Sequence, residues 1–229
     1  MDELEILQTL FLSALLAVPL SCPRPALSWD TKTLSMANRI AQRKLNFVCH
    51  IKNLKEEDLA KQVFDEQLVN GYPGIDKEVQ ELCENLGIPE VTKDRKDEKS
   101  KAKWKKIIEE AVEKKNEVEL KEKIRKYEKL EIMKQEDYGQ KNYLEQLTLL
   151  QARTLFRVRT RMVNCKMNQL GDRKNKASLW KCGECGYIDS QLHIIHCPAY
   201  QNLREGKDLN SDVDVANYFK EVLKIREGI

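Results

Sequence analysis

The stretch CGECGYIDSQLHIIHC, residues 182–197, places three cysteines and a histidine at Cys182-x2-Cys185-x7-His193-x3-Cys197. Four soft or borderline ligands at such close spacing suit the tetrahedral preference of zinc. Gly183 and Gly186 flank the second cysteine, where the backbone must fold back so that both thiolates face one ion. His196 competes for the fourth position, but it adjoins Cys197, and neighbouring side chains rarely aim at one ion. His193 is therefore preferred. Four protein ligands leave no open position for water or substrate, so the expected Zn2+ is structural. Cysteines that are simply buried or oxidised are the alternative.

Immediately upstream the chain is basic. Arg153, Arg157, Arg159, Arg161, Lys166, Arg173, Lys174, Lys176 and Lys181 supply nine positive charges, opposed in that interval only by Asp172. Leu155, Val158, Met162 and Cys165 lie at helical spacing within residues 144–170 and form a candidate buried stripe. Arg153, Arg157 and Arg161 recur every fourth residue on another face. A phosphate backbone selects such a footprint, and so does a solvated helix face paired with acidic neighbours; charge alone leaves both open. Trp180 can stack on a base or pack over the metal loop. Downstream, a short helix runs to Arg204 and an acidic connector spans 208–214. A final amphipathic helix, VANYFKEVLKI at 215–225, brings Tyr218, Phe219 and Val222 over the metal loop or the preceding helix.

Further upstream, KDRKDEKSKAK at 93–103 reads as a solvated linker or fraying helix start. Trp104, Ile108 and Ala111 then mark one helix. Asn116 with Glu119 reads as a capping box opening a second through Leu120, Ile124 and Tyr127. Narrow stripes with mixed charge outside make residues 104–138 a helical hairpin or coiled-coil arm, open to a helical protein partner.

The N-terminal part reads as a compact helical unit. Residues 3–18 form an apolar helix ending at Pro19, and the prolines at 19, 23 and 25 predict an extended connector. Met36, Ile40, Leu45 and Val48 mark an amphipathic helix. Asn53 with Glu56 reads as a capping box before Leu59, Val63, Phe64 and Leu68. A further helix over 75–86 stops at Gly87.

Composition agrees with a mainly α chain: 229 residues, 41% apolar, 7% aromatic, with nine glycines and six prolines. A net charge of +3 gives no global attraction to polyanions, so any such attraction is local. Of seven cysteines three sit in the motif, and Cys22, Cys49, Cys83 and Cys165 are scattered, as suits reduced thiols in an intracellular, non-secreted protein. The apolar run 10–20 follows Asp2, Glu3 and Glu5 where a signal peptide carries positive charge, and it is too short to span a bilayer. No paired carboxylates, Gly-rich phosphate loop or activated nucleophile is found. Tyr187-x-Asp189-Ser190 has one aspartate where two-metal polymerase chemistry needs more.

Several segments together resemble the C-terminal part of the reverse transcriptases of non-LTR retrotransposons. They are LFLSALLAVPLSCPRPALSWDTKTLSMANRIAQRKLNFVCHI at 10–51, LAKQVFDEQLVNGYPGIDKEVQELCENLGI at 59–88, ARTLFRVRTRMVNCKMN at 152–168 and LWKCGECGYIDSQLHIIHCPAYQNLREGKDLNSD at 179–212. The C-x2-C followed by S-Q-x-H-I-x-x-C-P is similar to the cysteine–histidine motif that ends such enzymes. The resemblance implies Cys182, Cys185, His193 and Cys197 as metal ligands, and a motif that helps grip template RNA or target DNA. It implies a thumb-like segment over 10–51. Fingers, catalytic palm and endonuclease belong upstream of Met1, so the chain is expected to lack polymerase and nuclease activity.

The expected organisation is a thumb-like helical unit over 1–92, a charged helical arm over 93–143, and a basic helix with a zinc-stabilised module over 144–229. The leading functional expectation is a non-catalytic RNA- or DNA-binding fragment of low sequence specificity, without membrane association. The alternative is a zinc-stapled scaffold for proteins.

Overall fold

The computed structural model describes residues 2–70, 75–92, 101–136, 138, 143–170 and 180–227. Among them are thirteen α-helices and no strand, the mainly α class that the composition predicts. In chain order they are α1 (Asp2–Leu16), α2 (Arg24–Asp30), α3 (Met36–Lys52), α4 (Leu59–Asn70), α5 (Ile75–Leu86) and α6 (Lys101–Arg125). Then come α7 (Glu131–Lys134), α8 (Tyr143–Gln146), α9 (Leu149–Arg159), α10 (Lys166–Leu170), α11 (Gln191–His196), α12 (Gln201–Arg204) and α13 (Asp212–Glu227). They gather into two compact units, Met1–Glu5 with Leu34–Lys121 and Ile6–Thr33 with Glu122–Ile229, whereas composition drew its boundaries at 92 and 143. No helix of the described residues is long and apolar enough to cross a membrane.

In the first unit α3 is the organising helix. Ser35 caps it, its hydroxyl accepting from the Asn38 N–H at 3.2 Å. The Glu5 carboxylate accepts from the Met36 N–H at 2.6 Å, a negative charge at the positive end of the helix. Leu45, Val48 and Cys49 then meet Phe64, Val79 and Cys83 together with Trp104, Ile108 and Val112 of α6 in one core. Three sequence readings change here. Asn53 closes α3 and does not open α4, because its Nδ2 donates back to the Cys49 carbonyl at 2.7 Å. Asn116 starts no helix: it lies inside a continuous 25-residue α6. Its Oδ1 accepts from the Ser35 N–H at 3.1 Å and from Asn38 Nδ2 at 3.2 Å, so tertiary contacts use what local spacing reads as a cap. Third, Trp104 and Ile108 of the stripe, with Val112, are packed in this unit's own core. The outer face of α6 carries its own i,i+4 pairs, such as Lys121 with Glu117 at 2.6 Å.

In the second unit Pro23 and Pro25 open α2, where an extended connector was expected. Pro25 falls in the first turn, where a missing N–H has no helical partner to lose. The stripe expected over Leu155, Val158, Met162 and Cys165 does not run on one helix: α9 ends at Arg159 and α10 begins at Lys166. A capping box between Thr148 and Gln151 starts α9. It ends at a left-handed Arg161 (φ 54°), with the Met162 N–H reaching back to the Arg157 carbonyl at 2.7 Å. Against α9 lies α13. Between them and the metal loop sits a core of Val158, Val163, Ile194, Tyr218, Phe219 and Val222 that also takes in Cys182 and Cys197. The final helix thus covers the loop through the residues its pattern predicts.

Candidate metal centre

The centre is built from a knuckle and a short helix. Lys181 and Ile188 form an antiparallel bridge, and the Gly186 N–H donates to the Cys182 carbonyl at 3.0 Å, which turns the chain between the first two cysteines. Gly186 sits at φ +78°, where a side chain is strained; Gly183 is not left-handed and needs no glycine on that ground. Ser190 caps α11 by accepting from the His193 N–H at 3.0 Å. His193 and Cys197, four apart at the end of that helix, therefore point the same way.

The donor atoms of Cys182, Cys185, His193 and Cys197 all lie within 4.8 Å of one another, so the group could hold a metal ion. Cys185 Sγ is 3.2 Å from His193 Nε2 and 3.6 Å from Cys197 Sγ. His196 is exposed and outside the cluster, as its adjacency to Cys197 predicts. The Tyr187 N–H bonds Cys185 Sγ and holds that thiol below its ordinary range. Burial pushes Cys197 up to about 11, with the neighbouring sulfurs adding to the rise, although the Ala199 N–H also bonds its sulfur. Clustered thiolates repel unless a cation lies among them. Three sulfurs and one imidazole with N–H donors at their backs match a borderline divalent ion in tetrahedral coordination.

The supports of this centre were not visible in the spacing. Asp189, set aside as a catalytic candidate, is fully buried. It accepts from the Lys166 N–H at 2.8 Å and from both terminal nitrogens of Arg226. Burial opposes its charge, yet those partners hold its carboxyl below the usual range. The Tyr218 hydroxyl donates to the Ile194 carbonyl at 2.6 Å. Arg204 reaches the Ile195 and Cys197 carbonyls at the end of α11. An Asp in a loop and an Arg in a distant helix give no local signal of pairing.

The basic residues separate. Arg159 is buried between Asp30 (2.8 Å) and Glu136 and lies 5.6 Å over the Tyr143 ring, so its guanidinium is committed inside the fold. Arg153 Nε and Arg157 Nε each donate at 2.8 Å to a carbonyl just past or within the last turn of α1, Ala17 and Leu15 respectively for Arg157 and Arg153. Arg161 lies past the end of α9 and so off the line expected for it; it is exposed. Lys166 Nζ donates to the Lys181 carbonyl at 2.7 Å, and Lys181 itself is exposed. Arg173, Lys174 and Lys176 lie outside the described residues. Trp180 is half-buried against a cavity beside the loop. No protein-family model, curated protein or solved structure matches the chain.

Proposed function

We propose that the C-terminal unit is a zinc-stapled, non-catalytic module that binds RNA or DNA, corresponding to the C-terminal part of a non-LTR retrotransposon reverse transcriptase. The observation that carries this is the four-donor cluster, Cys182, Cys185, His193 and Cys197, with its atoms within 4.8 Å. Zinc is favoured because three thiolates and an imidazole are its usual structural set, and four ligands close the coordination shell. The exposed Arg161 and Lys181, with Lys166 beside them, give the charge that meets phosphate; Arg153 and Arg157 add theirs while anchored to carbonyls. Seven free cysteines suit a reducing intracellular compartment.

The test is fluorescence anisotropy of a labelled single-stranded RNA with the zinc-loaded chain at several salt concentrations. Four phosphate contacts give a log–log slope of about −3, since a single strand releases roughly 0.7 counterion per contact. A second reading, a zinc-stapled protein scaffold, has one observation in its favour: Leu7 and Phe11, four apart on α1, are 60% and 66% exposed. Binding indifferent to salt, or none, decides for it. Primer extension on an RNA template by the purified chain would overturn the non-catalytic assignment.

A further inference from the structure

Beside the metal loop, within the C-terminal unit, lies a cavity of about 470 Å³ between α10, α11 and the 3₁₀ turn Glu128–Leu130. That volume is within the range of pockets for small organic ligands. Trp180, Met167, Leu192 and Ile195 give it apolar walls, Lys129 and Arg161 give it two cations, and among the described residues no carboxylate lines it. Among the described residues neither cation has a side-chain hydrogen bond or ion pair. The Arg161 charge reaches Glu131, which makes its direct ion pair with Lys134 at 2.8 Å. Two cations without a direct ion pair among the described residues, at an apolar, aromatic cavity, call for an anion attached to a flat apolar body.

Two wall residues add a second sign. Among the described residues, Trp180 Nε1 and Gln191 Oε1 are buried without a hydrogen-bond partner. Folded proteins leave few such atoms, and one donor with one acceptor is the complement of a nucleobase edge. Both atoms are buried in the unbound chain, so presenting them to a base requires the side-chain rotamer changes common at binding sites. Arg161 also occupies a left-handed backbone position (φ 54°) that glycine or asparagine fills at lower cost.

We infer that this cavity seats one unpaired nucleotide of a single strand, its base against Trp180 and Leu192 and its phosphates toward Arg161 and Lys129. The inference rests on the nucleic-acid reading of this unit and adds to it a requirement for an unstacked base, which a duplex does not supply.

The probes are a single-stranded RNA twelve-mer and the same strand with abasic spacers at every position, titrated by competition against the zinc-loaded full chain. The base-bearing strand should bind about tenfold more tightly, the order that one aromatic stack contributes. Leu192→Glu, at a position 69% exposed, puts a carboxylate at the cavity without disturbing the core. It should bring the ratio of affinities close to one while the zinc content stays at one per chain. Arg161→Gln should weaken both strands, with one phosphate contact fewer in the salt slope. Equal affinity of the wild-type chain for both strands, or a ratio that Leu192→Glu leaves intact, overturns the cavity assignment. In either case salt-dependent binding survives if the wider reading is sound; loss of all strand binding in the wild-type chain overturns both.

Discussion

Asp189 and Arg226 form a two-pronged ion pair that ties the metal loop to the last helix, with Arg226 Nη1 donating to Asp189 Oδ1 at 2.8 Å. The Asp189 side chain is wholly buried and that of Arg226 is 16% exposed. The same carboxylate takes the Lys166 N–H at the start of α10, so one charge organises three segments. Removing one partner of a buried pair strands the other charge. Arg226→Leu should cost about 3 kcal/mol in urea unfolding of the metal-loaded chain. Adding Asp189→Asn should recover part of that, because the stranded charge is gone. A double variant as unstable as the sum of the two single changes is the outcome against this reading.

Metal binding should follow the cluster and not the cysteine count. Cys185→Ser should lose stoichiometric metal in elemental analysis, while Cys83→Ser, in the core of the other unit, should keep it. His196→Ala should keep metal and His193→Ala should weaken it at least tenfold. The reverse pair of results would show that the wrong imidazole was assigned. Chelation should lower helicity by circular dichroism, because Cys182 and Cys197 are part of the core under α13.

Arg159 should behave as a structural residue. Its guanidinium spans Asp30 and Glu136, and the Tyr143 hydroxyl donates to the same Asp30 at 2.8 Å. Arg159→Ala should destabilise the chain by about 3–5 kcal/mol. Arg159→Lys keeps the charge but cannot fork to both carboxylates, and should still cost measurably in thermal melting. Neither effect should depend on nucleic acid. A stable Arg159→Ala chain whose only defect is RNA binding would reverse the assignment.

Thiol chemistry should divide the cysteines. Burial pushes the Cys22 thiol up to about 11, with only partial relief from a hydrogen bond to Thr160. The thiolate is the reactive form, so at pH 8 about one Cys22 in a thousand is poised to react, and reactivity grows as pH rises towards 11. Burial raises Cys83 and Cys165 in the same direction. Alkylation of the metal-loaded native chain at pH 8, read by peptide mass spectrometry, should leave these three unmodified. Removing the metal should expose Cys185 to the reagent first, because it is the least buried of the three cluster sulfurs. Rapid labelling of Cys22 in the native chain would contradict the packing around it.

Local chemistry made some features readable in advance. Gly87 ends α5 because its left-handed backbone (φ +65°) lets the Ile88 N–H reach the Cys83 carbonyl at 3.1 Å, an arrangement confined to neighbouring residues. The candidate metal ligands fall within sixteen residues, so local spacing was enough to group Cys182, Cys185, His193 and Cys197 and to set His196 aside. Tyr218, Phe219 and Val222 share a helical face, and periodicity names them before their partners are known.

Polar residues were a different matter, because each has several possible partners and only the fold selects one. Asn53 and Asn116 have the spacing of caps, yet one closes the preceding helix and the other braces the start of α3 from within α6. Arg153, Arg157 and Arg159 read alike as a basic face. Tertiary packing sent two to carbonyls at the end of α1 and buried the third against Asp30, 129 residues away in sequence. The sequence by itself determined the helical class, the apolar faces and the donor set, since those depend on residues a few positions apart. The destination of each charge was decided only by tertiary structure, because an ion pair between α2 and α9, or between the metal loop and α13, exists only once long loops have closed.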